Sequence, residues 1–88
     1  SAMIDLWAEA ASLTLELVPG ALMGEIMQDP ANPRRLVALG VWRDHAAFDQ
    51  WRRLPEYLGY TEQSLRLCEE IERHTLTVMA RATRTGED

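Results

Sequence analysis

The stretch between Pro19 and Tyr57 constrains the fold of this chain more than any other. Its residues, PGALMGEIMQDPANPRRLVALGVWRDHAAFDQWRRLPEY, contain two short apolar runs separated by a dense turn cluster, and a helical pattern follows the second run at once. Short apolar runs on either side of a turn rich in Pro and Asn are typical of a β-hairpin. The sequence therefore predicts strand, turn, strand and helix, in that order.

The two predicted strands have different patterns. Ala21 to Gln28 is bounded by turn residues, and it alternates Leu22, Gly24 and Ile26 on one face with Met23, Glu25 and Met27 on the other. Leu36 to Trp42 is a nearly continuous β-rich run. Residues of a strand point to opposite faces in turn, so each strand would place one set of side chains on each side of the sheet. The two strands are expected to pair as a hairpin across the cluster Asp29 to Pro33.

Helices are predicted on both sides of the hairpin. Apolar residues recur every three or four positions from Ile4 to Val18, where Pro19 and Gly20 end the pattern. Asp44 is a suitable N-cap for a helix that carries Ala47, Phe48 and Trp51 on one face. Pro55 suits the first turn of a further helix, which is expected to run to about Glu70.

The end of the chain predicts one more strand and a short tail. Ile71 to Arg81 is rich in threonine and valine, and its side chains divide into two alternating sets, as on the two faces of a closing strand. We expect one domain over residues 4–82, with 83–88 as a frayed tail. Residues 1–3, Ser-Ala-Met, are interpreted as a cleavage scar or an excised domain edge and carry no functional prediction.

Composition limits the partners and the location. The chain has 88 residues, and a domain of this size buries only a modest core, which favours a partner chain that shares it. A formal net charge of −5 disfavours nucleic acid. No apolar run reaches the ~20 residues that span a bilayer. Cys68 is the single cysteine, which fits a reducing cytoplasm, and it is expected to be a free buried thiol.

The order of elements, together with Trp42, Asp44, Ala47, Phe48 and Trp51, resembles the antibiotic biosynthesis monooxygenase family. The resemblance implies an α+β fold, a ferredoxin-like domain that pairs into a dimeric α/β barrel. The leading strand of that template, which lies in the middle of its sheet, has no counterpart here. Three alternatives remain: the last strand pairs in parallel with the Leu36 to Trp42 strand, another chain supplies a strand, or the chain is a piece of a larger polypeptide.

The resemblance also implies a chemistry. Members of this family often oxidise polycyclic or haem-like substrates with no bound metal or flavin, and in the quinone-forming relatives an electron-rich phenol reacts with dioxygen in a dry pocket. The substrate implied for this chain is an aromatic or polyketide-like molecule. No cofactor and no metal site are expected here. In relatives that cleave haem, a tryptophan at the position of Trp51 presses on the macrocycle and a histidine ligates the iron ten residues later. Thr61 stands at that later position and is a poor haem ligand.

Seven residues are therefore candidates for the site. Trp51, Tyr57 and His74 are predicted to be catalytic, with His74 as the general base for a phenol. Phe48, Tyr60, Met23 and Met27 are predicted to bind substrate. Each has a simpler interpretation, since aromatic and methionine side chains at these spacings more often pack a core, and a strand histidine is often merely hydrogen-bonded.

Two functions remain open at this stage. The first is a cofactor-independent monooxygenase with a pocket between the sheet and the helices. The second is a non-catalytic member of the same superfamily, which oligomerises or docks a protein and belongs to a larger biosynthetic polypeptide. The absent leading strand favours the second function, because it leaves a sheet edge open to strand addition. We expect a homodimer built through the sheets in either case.

Overall fold

A computed structural model describes residues 1–84 of the chain. Five elements follow one another along the sequence. They are α1 (Ala2–Leu17), β1 (Ala21–Asp29), β2 (Asn32–Trp42), α2 (His45–Arg52) and α3 (Pro55–Leu67). This order confirms the predicted helix, hairpin and helix pair.

The N-terminal helix begins earlier than the sequence pattern indicated. The Ser1 hydroxyl accepts a hydrogen bond from the Ile4 N–H at 3.2 Å and caps α1. Met3, for which no functional role is predicted, is 8% exposed and belongs to the core. The helix ends at Leu17, and the extended backbone of Val18 turns the chain into β1.

The hairpin is antiparallel, and its turn depends on two side chains. Asp29 Oδ1 accepts from the Ala31 N–H at 2.8 Å, and Asn32 Oδ1 accepts from the Arg34 N–H at 3.1 Å. Asp and Asn favour turns because they hydrogen-bond to backbone two residues on. The strand register pairs Glu25 with Leu39. Both strands are slightly longer than predicted, because the turn contains only Pro30 and Ala31.

Only one face of the hairpin is covered by a helix. A Cβ on Gly24 would lie 3.0 Å from the Ala11 Cβ, so glycine at this position lets α1 lie close against β1. The opposite face remains uncovered within the described residues. It presents large apolar side chains that are about two-fifths exposed: Met23 42%, Met27 43%, Val37 39% and Leu39 44%.

The core lies where α1, the start of β1 and α2 meet. Val18 is fully buried and packs with Ala47 and Trp51, and Trp42, Leu54, Tyr57 and Tyr60 pack around this cluster. Helix α3 is joined to α1 by a hydrogen bond from Trp7 Nε1–H to Ser64 Oγ at 2.9 Å. The packing thus brings Trp51 of α2 together with Tyr57 and Tyr60 of α3.

The prediction of a closing strand from Ile71 to Arg81 is wrong for the chain as described. Helix α3 ends at Leu67, not near Glu70, and residues 68–84 form neither helix nor strand. A strand requires a hydrogen-bonded neighbour, and among residues 1–84 no backbone hydrogen bond joins this segment to the hairpin. Leu76 and Met79 are accordingly 87% and 89% exposed. Most of the predicted frayed tail, 83–88, lies outside the described residues.

Candidate functional site

The structure brings two of the predicted catalytic residues together. Trp51 is 7% exposed and packs on Val18 and Ala47. The Tyr57 ring meets the Trp51 ring edge-on, with centroids 6.0 Å apart and an interplanar angle of 78°. Edge-to-face contact at this distance is favourable for aromatic pairs. Trp51 and Tyr57 therefore form one aromatic pair, in which Trp51 lies in the core and Tyr57 is only partly buried.

Local sequence explains why this pair forms. Asp44 Oδ1 accepts from the Ala47 N–H at 2.9 Å and fixes the start of α2, which turns Ala47 and Trp51 toward the core one helical turn apart. The Trp51 carbonyl accepts from the Leu54 N–H at 3.1 Å, and Pro55 then opens α3. Because the joint between the helices is so short, Tyr57 in the first turn of α3 falls beside Trp51.

A cleft of about 380 Å³ opens at the surface next to Tyr57. Its other lining residues are Asp49, Arg52 and Arg53, all from the end of α2. Asp49 Oδ1 and Arg52 Nη1 form an ion pair at 3.5 Å. The Arg73 guanidinium carbon lies 5.9 Å from the centroid of the Tyr57 ring, within the range of a cation–π contact. The cleft is thus aromatic on one wall and basic around its rim.

A second cleft of about 300 Å³ lies between α3 and the segment that follows it. Leu65 lines it from the helix, and Ile71 and Arg73 line it from the segment. Glu69 and Arg34 form an exposed ion pair at 2.6 Å, which links the same segment to the start of β2. Arg73 therefore lines the second cleft and contacts Tyr57, a residue that lines the first.

One predicted substrate-binding residue, Tyr60, lies near the aromatic pair. Tyr60 packs against the cluster of Val18, Ala47 and Trp51. Desolvation by burial, helped by the negative charges of Glu9 and Glu56, raises the pKa of Tyr60 above its ordinary value. The phenol therefore stays protonated at neutral pH and can serve as a hydrogen-bond donor.

Phe48 is half-buried at the other side of α2. Its ring centroid is 5.3 Å from that of Trp42, and the Arg52 guanidinium carbon lies 5.4 Å from the Phe48 centroid. Arg52 thus faces Phe48 as well as Asp49. The contacts of Phe48 are those of a packing residue at the end of the sheet.

The structure does not bring the remaining candidates to this site. The His74 side chain is 71% exposed, and its closest polar contact joins Nε2 to Glu72 Oε2 at 3.4 Å. Met23 and Met27 lie on the uncovered face of the hairpin, whose opposite face packs on α1. His74 was expected on a strand that does not form, which explains why it fails to reach a pocket.

The basic residues around the cleft were not among the sequence candidates. Arg52 and Arg53 directly follow Trp51, and this doublet after a core aromatic was the available signal. Arg73 could not be placed from sequence, because its position depends on the path of an irregular segment.

Within residues 1–84, no group of three or more His, Cys, Asp or Glu side chains is arranged to hold a metal ion. None of the helices in this part of the chain has the length and apolarity needed to cross a membrane.

The hairpin with one helix on its face, followed by two helices that carry an aromatic cluster, defines an α+β domain of the ferredoxin-like type. The model of the antibiotic biosynthesis monooxygenase family matches residues 1–63, which include the hairpin, α2 and most of α3. The chain belongs to this family. No curated protein and no solved structure matches the chain significantly.

Proposed function

We propose that the chain is a cofactor-independent monooxygenase of the antibiotic biosynthesis type that acts on a phenolic aromatic molecule at the cleft beside Tyr57. The observation that carries the proposal is the Trp51–Tyr57 pair, which offers an aromatic wall to an open cleft in a member of this family. Tyr57 would contact the ring of the substrate, and Trp51 would hold Tyr57 in place from behind. Both are thus assigned to the site, Trp51 as a positioning residue.

The reaction needs only substrate and dioxygen. One oxygen atom enters the ring as a quinone carbonyl, and the other leaves as water together with the two hydrogens that the ring carbon and the phenol lose. All four electrons come from the substrate. The protein would bind the reactive anion and shield it from bulk water, which are roles that aromatic walls and fixed charges can fill.

Oxygen uptake with a dihydroxynaphthalene as substrate tests the proposal. We expect protein-dependent oxygen consumption with a stoichiometric gain in quinone absorbance, above the autoxidation rate of the same solution without protein. Equal rates with and without protein, for this compound and for a panel of hydroxylated anthracenes, would remove the enzymatic assignment.

A homodimer built through the sheets is proposed as the assembly. The support is the uncovered face of the hairpin, where Met23, Met27, Val37 and Leu39 each remain about two-fifths exposed. Burial of apolar surface is the main favourable term in association. Leu39→Arg, at the centre of this face, should convert a dimer to a monomer in light scattering. Leu58→Arg on α3, where the side chain is 59% exposed, serves as the matched control.

The alternative function is a non-catalytic oligomerisation or docking domain in a larger biosynthetic polypeptide. An exposed His74 that lines neither cleft, and clefts that are open to the surface, favour this alternative. The free edge of β2 would then accept a strand from another chain or domain. A stable assembly with no oxygen uptake would support it. A cytoplasmic location remains a proposal that rests on the single, half-buried Cys68.

A further inference from the structure

Glu25 is a charged residue in the middle of an apolar surface. Side chains of a strand point to its two faces in turn, so Glu25 shares the uncovered face of the hairpin with Met23 and Met27. The strand register places Leu39 directly opposite Glu25. The apolar residues around this carboxylate are Met23, Met27, Val37, Leu39 and Val41. A carboxylate thus lies at the centre of the surface that is proposed to form the dimer.

The charges on neighbouring elements do not compensate Glu25. Within residues 1–84, no cation forms an ion pair with it. The arginines in β2 and just after it lie toward the two ends of the hairpin and pair with other carboxylates: Arg34 with Glu69, Arg35 with Asp29, and Arg43 with Asp44. Helix α1 packs on the opposite face of the sheet, and its charged residues are Asp5, Glu9 and Glu16. In the single chain Glu25 is exposed, so water solvates its charge.

The exposed area of the chain supports a second copy as the occupant of this face. The chain exposes 7108 Å² of accessible surface. A folded monomer of 10.0 kDa exposes about 5,200 Å², so the excess is roughly 1,900 Å². Each partner in a standard interface buries about 800 Å². The excess is therefore sufficient for a dimer interface, although the irregular segment 68–84 contributes part of it.

We propose that Glu25 makes the homodimer dependent on pH, so that two chains associate more tightly when this carboxyl group is protonated. The inference rests on the proposed homodimer and specifies its regulation. A two-fold interface joins the same patch of both copies, so it would enclose Glu25 twice. Loss of water and a nearby like charge both disfavour the ionised form of a carboxyl group. Each Glu25 thus takes one proton from solvent as the dimer forms, and because the dimer binds more protons than two free chains do, a lower pH favours it.

The experiment measures the dimer dissociation constant by sedimentation velocity at about pH 7.5 and about pH 5.5, both above the ordinary glutamate pKa of ~4.3. An exposed glutamate is largely ionised at both values, so a difference between them reports on a carboxyl group that dimerisation buries. We expect the dissociation constant of the unmodified chain to fall about tenfold from the higher to the lower pH.

Two variants with the same net charge identify the residue responsible. Glu25→Gln keeps the shape of the side chain and removes its charge, so this variant should dimerise about tenfold more tightly at the higher pH and show little change with pH. Glu62→Gln removes an exposed charge from α3 and should keep the pH dependence of the unmodified chain. Any general effect of approaching the isoelectric point, about 4.9 from the sequence, acts on both variants alike. Circular dichroism establishes that each variant is folded at both pH values.

The inference is overturned if the dissociation constant of the unmodified chain is the same at both pH values, if E25Q responds to pH as E62Q does, or if the chain is monomeric throughout. Leu39→Arg distinguishes these results from failure of the proposed assembly. A dimer that L39R dissociates, but that does not respond to pH, keeps the homodimer and removes only the role of Glu25. A dimer that survives L39R uses another surface and contradicts both proposals.

Discussion

The indole N–H of Trp7 donates to the Ser64 hydroxyl at 2.9 Å, and this bond joins α1 to α3 across 57 positions of sequence. Ser64 is only 4% exposed, and its hydroxyl in turn donates to the Tyr60 carbonyl at 2.8 Å. The Cys68 thiol contacts the Ser64 carbonyl oxygen at 3.0 Å. A small polar side chain thus fixes the contact between two helices whose packing positions Tyr57 and Tyr60.

Ser64→Ala should lower the free energy of unfolding by about 1–3 kcal/mol, because it leaves the partly buried Trp7 N–H without its acceptor. Urea unfolding measures the change. Trp7→Phe removes the donor, so the double variant should cost less than the sum of the two single variants. Additive losses would mean that the hydrogen bond contributes nothing to stability.

Gly20→Ala should destabilise the fold by about 1–3 kcal/mol. A Cβ at Gly20 would overlap the Ala47 Cβ, which packs against Val18 and Trp51 in the core. Gly59→Ala is the matched control, because a Cβ there has no atom within 4 Å and the residue lies inside α3. Alanine is the better helix former, so G59A should gain up to ~1 kcal/mol. Thermal melts of the two variants should therefore move in opposite directions.

The raised pKa of Tyr60 should make the free energy of unfolding decrease at alkaline pH. Its pKa is raised in the folded chain above the ordinary value of 10.0, mainly by desolvation, so the folded state holds the proton more tightly than the unfolded state does. As pH rises above 10.0, the unfolded state loses the proton first and folding becomes less favourable. The wild type should lose more free energy of unfolding between neutral and strongly alkaline pH than Tyr60→Phe. Parallel pH profiles for the two proteins would contradict the shift.

Trp51→Phe separates a catalytic contribution from packing. Complete truncation of a buried Trp costs about 3–5 kcal/mol, and Phe retains part of that packing, so the variant should remain folded with a smaller loss. If Trp51 positions Tyr57 for reaction, oxygen uptake should fall by far more than the loss of folded protein explains. Trp42→Phe, which alters a half-buried tryptophan whose ring contacts that of Phe48 at a tilt, is the control. Equal rates per folded molecule in both variants would assign Trp51 to the core alone.

Local sequence patterns predicted most of the fold. The Asp and Asn residues of the turn, the Asp44 cap and Pro55 each act within a few residues, and the structure has the hairpin and the starts of α2 and α3 where these residues require them. The closing strand failed because a strand depends on a neighbour that may be far away in sequence. The alternation between Ile71 and Arg81 shows that the segment is suited to a sheet, but it does not supply a partner.

Only the part of the candidate site whose residues lie close together in sequence was predictable. Trp51 and Tyr57 lie six positions apart across a short joint, so a correct prediction of the two helices already brings them close. The positions of His74, Met23 and Met27 relative to the site depend on how elements distant in sequence pack together. The structure places these three residues outside the site. The same dependence explains why the contact between Arg73 and Tyr57 was not predicted.

The edge of β2 that pairs with no strand among residues 1–84 also bears on how the protein must be handled. Pro33, Arg34 and Arg35 protect the first part of this edge, since proline and charged residues discourage pairing with other molecules. Leu36 to Trp42 contains no charge and no proline over seven residues, which is the composition of segments that stack into cross-β fibrils. Concentrated solutions and partial unfolding should each lead to fibrillar aggregation that starts from this stretch.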